Sequence, residues 1–393
     1  MTMAISSWLQ SQKPSELQKA LKSTGPDFIS MALGLPSPDL FPVNELTACI
    51  SSYTDPLFFQ YSPQSDRLKE QVLSIMEKRG SPCKKEHVFI TSAAQQGISM
   101  LCSLLLGKEK AVLTEELSYP GFIQAIAPHQ PKIQAVLTHD KTGIDIEHLK
   151  QILQSSQKFA FLYLIGNGHN PLGINLSSNK KKVIAEIAAE YELPIIEDDA
   201  YGFISYTPST PPIRYFNENQ TLYIGSFSKI ISPGLRAGWL VVPEYLLEKL
   251  SIIKESLDIN TQTIGQRIVS TFIAEHPLES HIEKICSAYR EKRNALLHFL
   301  DLHLSQYLTY HPPEAGFFVW AKLKEKIPAS TILKLALQKG ICFVPGNYFS
   351  PTESSKHMYH LRLNFSFPTI QQLEAGVLRL KQVMQELERK EVS

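Results

Sequence analysis

Between residues 85 and 245, short apolar runs alternate with longer stretches whose apolar positions recur at helical spacing. The runs are His87–Thr91, Lys110–Thr114, Ile133–Leu137, Phe159–Ile165, Pro194–Asp198, Thr221–Gly225 and Gly238–Val242. They are rich in β-branched and aromatic residues and bounded by turn formers, so they read as strands. The longer stretches include Ala94–Leu106 and Ser177–Tyr191. In the second, Val183, Ile184, Ile187 and Ala188 make one apolar face, and Ser177 and Ser178 offer N-caps. Such alternation predicts an α/β fold, a mostly parallel seven-stranded sheet flanked by helices.

From Pro243 to about His303 the pattern is almost wholly helical, ending in a long stretch, Leu278–His303, rich in charge pairs. After Pro312-Pro313 it changes again. Gly316–Trp320, Ile341–Val344 and His360–Phe365 read as strands, and Thr331–Gln338 and Thr369–Leu387 as helices. A chain of 393 residues exceeds one ordinary core. The division expected is a large domain over 46–290 and a smaller α+β domain over 291–393, with the segment 1–45 packing on the small one.

Composition narrows the function classes. Hydrophobic residues make up 43% and charged residues 20%, as in ordinary globular enzymes, and the formal net charge is +1. Nucleic-acid and anionic-membrane partners favour a strong basic excess, so neither is expected. The five cysteines are scattered and odd in number, without a Cys-x-x-Cys pair. That pattern argues against a disulfide framework or a metal site and suits a reducing compartment. With no secretory pattern at Met1–Gln10 and no apolar stretch near the ~20 residues of a membrane span, a cytoplasmic location is expected.

The candidate chemistry clusters at predicted strand ends, where open α/β sheets place ligands. Ser226-Phe227-Ser228-Lys229 is followed by Gly234-Leu235-Arg236-Ala237-Gly238. This brings an amine, two hydroxyls and a guanidinium together, a set able to hold a phosphate beside a Schiff-base amine. Taken alone, such a run is also a common solvated turn. Ile195-Ile196-Glu197-Asp198-Asp199-Ala200-Tyr201 drives a strand inward and ends it on acids. Asp198 could keep a pyridine nitrogen protonated and Tyr201 could donate to a ring oxygen, or the acids could simply cap a helix.

Asn167–Gly173 offers the amide of Asn170 on a loop, and Thr91–Gly97 offers the backbone of Ala94 and Gln95 at a helix start. Tyr119 could stack on a ring. Arg362, flanked by Leu361 and Leu363, needs either an internal acid or a substrate carboxylate. His169 is read as a local hydrogen-bonding group rather than a catalytic one.

In this order and over this span, the motifs resemble the fold type I pyridoxal phosphate (PLP)-dependent aminotransferases. The branch they resemble contains the kynurenine/2-aminoadipate aminotransferases and the aminotransferase-like half of MocR-type regulators. The resemblance runs from Ala32–Pro36 and Phe41-Pro42 through Tyr61-Ser62-Pro63 and the motifs above to Arg362–Ser366. It implies that the large domain binds PLP and that Lys229 carries the Schiff base and then shuttles the proton. Asp198 would pair with the ring nitrogen, Tyr201 and Asn170 would contact the ring hydroxyl, and Tyr119 would stack on the ring. Ser226, Ser228, Arg236 and the backbone at Ala94 and Gln95 would bind the phosphate. Arg362, with Asn170 and the backbone near Gly34, would hold the substrate carboxylate. Tyr61 would reach the neighbouring subunit of a homodimer.

The implied reaction moves an amino group from an amino acid to a 2-oxo acid, 2-oxoglutarate being the expected acceptor. Another PLP reaction, such as β-lyase or decarboxylase chemistry, and a non-catalytic effector-binding module remain open on these residues. The chain departs from the family pattern at Ala93 (usually Gly), Gly166 (usually Pro), Leu172 (usually Thr) and Asp66 (usually Gly). No helix-turn-helix pattern precedes residue 30, so a DNA-binding regulator is not expected.

Overall fold

The structure, a computed structural model, describes residues 5–10, 25, 27–51, 53–107, 111–352 and 354–392. Lys110 and much of the expected 1–45 segment lie outside the described residues. The first strand, β1, is the two-residue Ile29–Ser30.

Seven strands form the central sheet: β2 (Val88–Thr91), β3 (Ala111–Glu115), β4 (Lys132–Val136), β5 (Phe159–Leu164), β6 (Ile195–Asp198), β7 (Thr221–Ser226) and β8 (Gly238–Val241). Their spatial order is β2-β8-β7-β6-β5-β3-β4. All pairings are parallel except those of β8, which runs antiparallel to both β2 and β7. Strands β2, β3, β6, β7 and β8 are buried along their whole length. This is why their sequences run continuously apolar instead of alternating.

Helices α1 (Asp66–Lys78), α2 (Ala93–Leu105), α3 (Pro120–Ile126) and α4 (Ser178–Glu190) belong to this region. Ser65 caps α1 by accepting from Leu68 N at 3.2 Å, so Asp66 opens a helix where the resembled family has Gly. Of the two serines expected to cap α4, Ser177 does so, accepting from Lys180 N. The long helix α5 (Leu278–Leu304) follows.

The C-terminal part holds a four-stranded antiparallel sheet of β9 (Leu308–Tyr310), β10 (Phe318–Leu323), β12 (Val344–Pro345) and β13 (His360–Asn364), in the order β9-β10-β13-β12. The expected strand from Gly316 begins only at Phe318, because Gly316 has φ +72°, outside extended space. The expected strand Ile341–Val344 is two strands. The first, β11 (Ile341–Cys342), pairs in parallel with β1, and β12 then joins the larger sheet. Residues 29–30 are therefore hydrogen-bonded into the C-terminal region, and helix α6 (Ile370–Val392) closes the chain. Among the described residues no helix is long and apolar enough to cross a membrane, and no cluster of three or more His, Cys, Asp or Glu is arranged to hold a metal.

Candidate active site

The parallel strands all point their C-terminal ends at one place. Thr91 leads into α2, β3 leads to Tyr119, β5 to Asn167–Gly173, β6 to Asp198–Tyr201 and β7 to Ser226–Lys229. Gly34, just after β1, and Arg362 on β13 meet these loops from outside the central sheet.

Lys229 donates from Nζ to the Gly34 carbonyl at 2.8 Å, and Nζ sits 5.5 Å from the centre of the Tyr201 ring. No carboxylate pairs with this amine among the described residues. Burial pushes its pKa down to about 8; Arg236 and Arg362 add to the effect and Asp198 opposes it. A lysine half neutral near pH 8 is a usable nucleophile and base.

The acidic triplet divides into three tasks. Glu197 accepts from the backbone N–H of Ile213 (2.7 Å) and Arg214 (3.1 Å), so it does act as a cap. Asp199 is buried in a two-point pair with Arg79 at 2.9 and 3.2 Å, and accepts from Tyr223 Oη at 2.8 Å and Asn167 Nδ2 at 3.1 Å. Asp198 accepts from Tyr163 Oη at 2.8 Å on Oδ2 and from Ala200 N at 3.2 Å on Oδ1. Burial pushes the Asp198 carboxyl up to about 6, while these two donors pull it back. Of the three, only Asp198 acts on the Lys229 amine.

Arg362 donates from Nη1 to Asn170 Oδ1 at 2.6 Å and from Nη2 to the Ala32 carbonyl. Its guanidinium carbon lies 3.9 Å from the Phe318 ring centre and 4.8 Å from that of Phe349. It is buried, yet no acid pairs with it among the described residues, and its Nε has no partner. The internal salt bridge, one of its two sequence readings, is absent among the described residues. A buried guanidinium of this kind favours an anionic partner.

At the opposite side, Ser226 Oγ accepts from Ser228 N at 3.2 Å, while the buried Ser228 hydroxyl has no partner. Arg236, held at φ +48°, donates to the Ser92 carbonyl at 3.3 Å. Ser92 precedes α2, and no side chain caps the first turn at Ala93, Ala94 and Gln95. The amides of Ala94 and Gln95 are thus available to an anion at a 13-residue helix start. Tyr119 sits among Asp198, Arg362 and Arg236, and burial pushes its phenol up to about 12. Tyr61 stands apart: it is 75% exposed and touches none of these groups within its own chain. His169 is buried, with Nε2 3.0 Å from Glu115 Oε2, 54 residues away in the chain, and Nδ1 accepting from the nearby Leu172 N at 3.4 Å.

Sequence reasoning passed over Tyr163, Arg79 and Phe318. Tyr163 carried a signal, since a phenol inside the apolar run Phe159–Ile165 must find a hydrogen-bond partner. Arg79 carried no such signal, since its partner Asp199 lies 120 residues away.

Residues 44–380 match the family model described as aminotransferase class I and II, and the chain belongs to that family. It is 30% identical to aromatic-amino-acid aminotransferase 1 of Thermococcus litoralis over 95% of this chain and 92% of that one. The solved α-aminoadipate aminotransferase of Thermus thermophilus, complexed with N-(5'-phosphopyridoxyl)-L-leucine, superposes with a TM-score of 0.89 at 28% identity over 98% of both chains. The kynurenine aminotransferase of Pyrococcus horikoshii gives 0.90 at 28% identity over 97% of both.

The protein is a fold type I, PLP-dependent aminotransferase of the kynurenine/aminoadipate-like branch. The donor set fits the cofactor. Among the described residues, an amine without an acid partner, a carboxylate acting on that amine, and a partnerless buried hydroxyl with a helix start that the Ser92 side chain does not cap are chemically suited to its aldehyde, ring nitrogen and phosphate.

Proposed function

We propose that this transaminase takes the amino group of an aromatic or 2-aminoadipate-like amino acid and passes it to a 2-oxo acid, 2-oxoglutarate being the first acceptor to test. The observation that carries the reading is the buried Arg362 guanidinium, steered by Asn170 and lacking an acid, in the same site as the Lys229 amine. Similarity to an aromatic-amino-acid aminotransferase and an α-aminoadipate aminotransferase supports the donor classes.

When bound, PLP supplies the electron sink that makes the Cα proton of an amino acid removable. Lys229 would hold the cofactor at rest, and its freed amine would take the proton from Cα and return it on the cofactor side. Asp198 would keep the ring nitrogen protonated. Tyr201 and Asn170 would contact the ring oxygen, and Tyr119 would stack on the ring. Ser226, Ser228, Arg236 and the amides of Ala94 and Gln95 would hold the phosphate. Arg362 and Asn170, beside Gly34, would fix the carboxylate of amino acid and oxo acid alike, which suits a two-half reaction at one site.

In this reading residues 46–290 form the cofactor domain, and 291–393, with the described residues from 27 to 45, form the substrate-side domain. The enzyme is cytoplasmic and homodimeric, with Tyr61 serving the neighbouring subunit. The exposure of Tyr61 (75%) beside Phe59 (74%) supports the last point.

A half-reaction screen tests the reading: cofactor-loaded enzyme is mixed with each of the twenty amino acids and the visible absorption band is followed. Loss of the band with aromatic or aminoadipate-like donors, abolished in Lys229→Ala, is the expected result. Release of ammonia and pyruvate in place of a recoverable aminated cofactor would replace transfer by lyase chemistry.

A further inference from the structure

Asp198 is approached from behind by one side-chain donor, Tyr163. Tyr163 sits on β5 next to β6, opposite Ile196 in the parallel register. Its side chain is 1% exposed, and its ring lies flat on Phe122 with centres 3.7 Å apart and planes at 1°. The stack leaves the ring little room to tilt, so the hydroxyl has a fixed address, Oδ2 of Asp198 at 2.8 Å. The Ala200 amide holds Oδ1. With both oxygens engaged from the protein side, the plane of the carboxylate is set.

We propose that Tyr163 is a positioning residue for amino-group transfer, which orients Asp198 and keeps it ionised through its phenol hydrogen bond. The inference rests on the proposed role of Asp198 toward the cofactor's ring nitrogen. A carboxylate at this depth needs such help. Burial alone favours its neutral form, and a neutral carboxyl could not hold a proton on the facing nitrogen. The other charged or titratable groups acting on Asp198 are Asp199, which opposes ionisation, and Lys229, which favours it; the phenols of Tyr119 and Tyr201 lie in the same field. Lys229 is consumed by the cofactor when it is bound, so its charge is not a constant support. Tyr163, buried and stacked on Phe122, is not consumed in this way.

The tests are Tyr163→Phe, Phe122→Leu and Asp198→Asn in the cofactor-loaded enzyme, with kcat and KM measured against pH and cofactor loss followed on dialysis. Tyr163→Phe removes one oxygen and keeps the ring. It is expected to move the acidic limb of kcat up by roughly one to two pH units, the size of one hydrogen bond to a charged group. KM should change little, and cofactor loss should quicken. Phe122→Leu, which loosens the ring but keeps the hydroxyl, should lower thermal stability and move the acidic limb by clearly less than Tyr163→Phe does. Difluorotyrosine at position 163, a stronger donor, should move the limb down. It also gives a reading if the Phe variant folds poorly.

An acidic limb that stays put in folded Tyr163→Phe, or moves equally in Phe122→Leu, overturns the inference. If Asp198→Asn itself keeps its cofactor and its turnover, the reading of Asp198 falls instead, whatever Tyr163 does.

Discussion

Arg362 Nη1 lies 2.6 Å from Asn170 Oδ1, a contact that spans 192 residues and joins the C-terminal sheet to a loop of the central one. The amide oxygen orients a guanidinium that no acid neutralises among the described residues. A carboxylate arriving there meets a planar donor already aimed, which a lysine ammonium could not reproduce. Arg362→Lys is therefore expected to raise KM for amino acid and oxo acid together, by about 10- to 100-fold, the loss of one charge-assisted hydrogen bond. Cofactor retention should be unchanged. Steady-state kinetics on both half-reactions check this, and an unchanged KM would place the carboxylate anchor elsewhere.

Lys229 ties stability to pH in the cofactor-free protein. Its folded pKa is about 8 against 10.5 for a free lysine, so the folded state binds its proton less readily than the unfolded one. The penalty on folding is full below about pH 8 and vanishes as pH rises through 10.5. Lys229→Met should then stabilise the cofactor-free protein by up to about 3 kcal/mol at pH 7. Thermal unfolding of both forms at pH 7 and near pH 10.5 should show that gain shrinking with rising pH. A gain independent of pH would assign it to packing.

Ala93 occupies φ +66°, the left-handed region, where the resembled family has Gly. The departure visible in the sequence is thus a backbone strain at the start of α2, where the amides of Ala94 and Gln95 are presented. A non-glycine residue in this region costs about 1–2 kcal/mol, and glycine's extra freedom when unfolded returns about 0.4–1 kcal/mol of that. Ala93→Gly should raise stability by up to about 1 kcal/mol with phosphate-dependent cofactor binding intact. Gly238 on β8 faces the same point. A Cβ there would stand 2.8 Å from Ala93 Cα, so Gly238→Ala should lose cofactor affinity where Ala93→Gly does not. Denaturant unfolding and cofactor titration separate the two.

How much of this was legible follows from what each residue needs. The five strands buried along their whole length were readable as continuous apolar runs, and the ends of all seven moved by a residue at most. Asp198, Lys229 and Asn170 were readable because they stand at or within six residues of the C-terminal ends of these strands. The three-way division of Glu197, Asp198 and Asp199 was not. It depends on Arg79 and on the amides at Ile213 and Arg214, partners at least 15 residues away that no local pattern names. The split of Ile341–Val344 was hidden for the same reason: the partner that claims Ile341 is Ile29, far along the chain. Tyr61 marks a different limit, since a single chain gives its side chain nothing to meet.

Gly34 offers a test of how closely the N-terminal segment fits the site. Its carbonyl accepts from Lys229, and a Cβ on it would lie 2.7 Å from Phe318 Cζ and 2.8 Å from Tyr201 Oη. Neither neighbour can yield freely. Tyr201 is wedged edge-on against Phe317 and Phe318, with ring centres 5.3 and 5.8 Å away, and Phe318 carries the Arg362 guanidinium at 3.9 Å. One methyl group therefore has to shift either the phenol proposed to contact the cofactor or the ring beneath the substrate anchor. Gly34→Ala is expected to cut kcat/KM by about 100-fold, as an ångström-scale misplacement does, with a stability loss of about 1–3 kcal/mol from overpacking. Kinetics beside thermal unfolding check it. Wild-type kcat/KM in a folded Gly34→Ala enzyme would show that Tyr201 and Phe318 are free to move, and that this corner of the site is not what aligns the reactants.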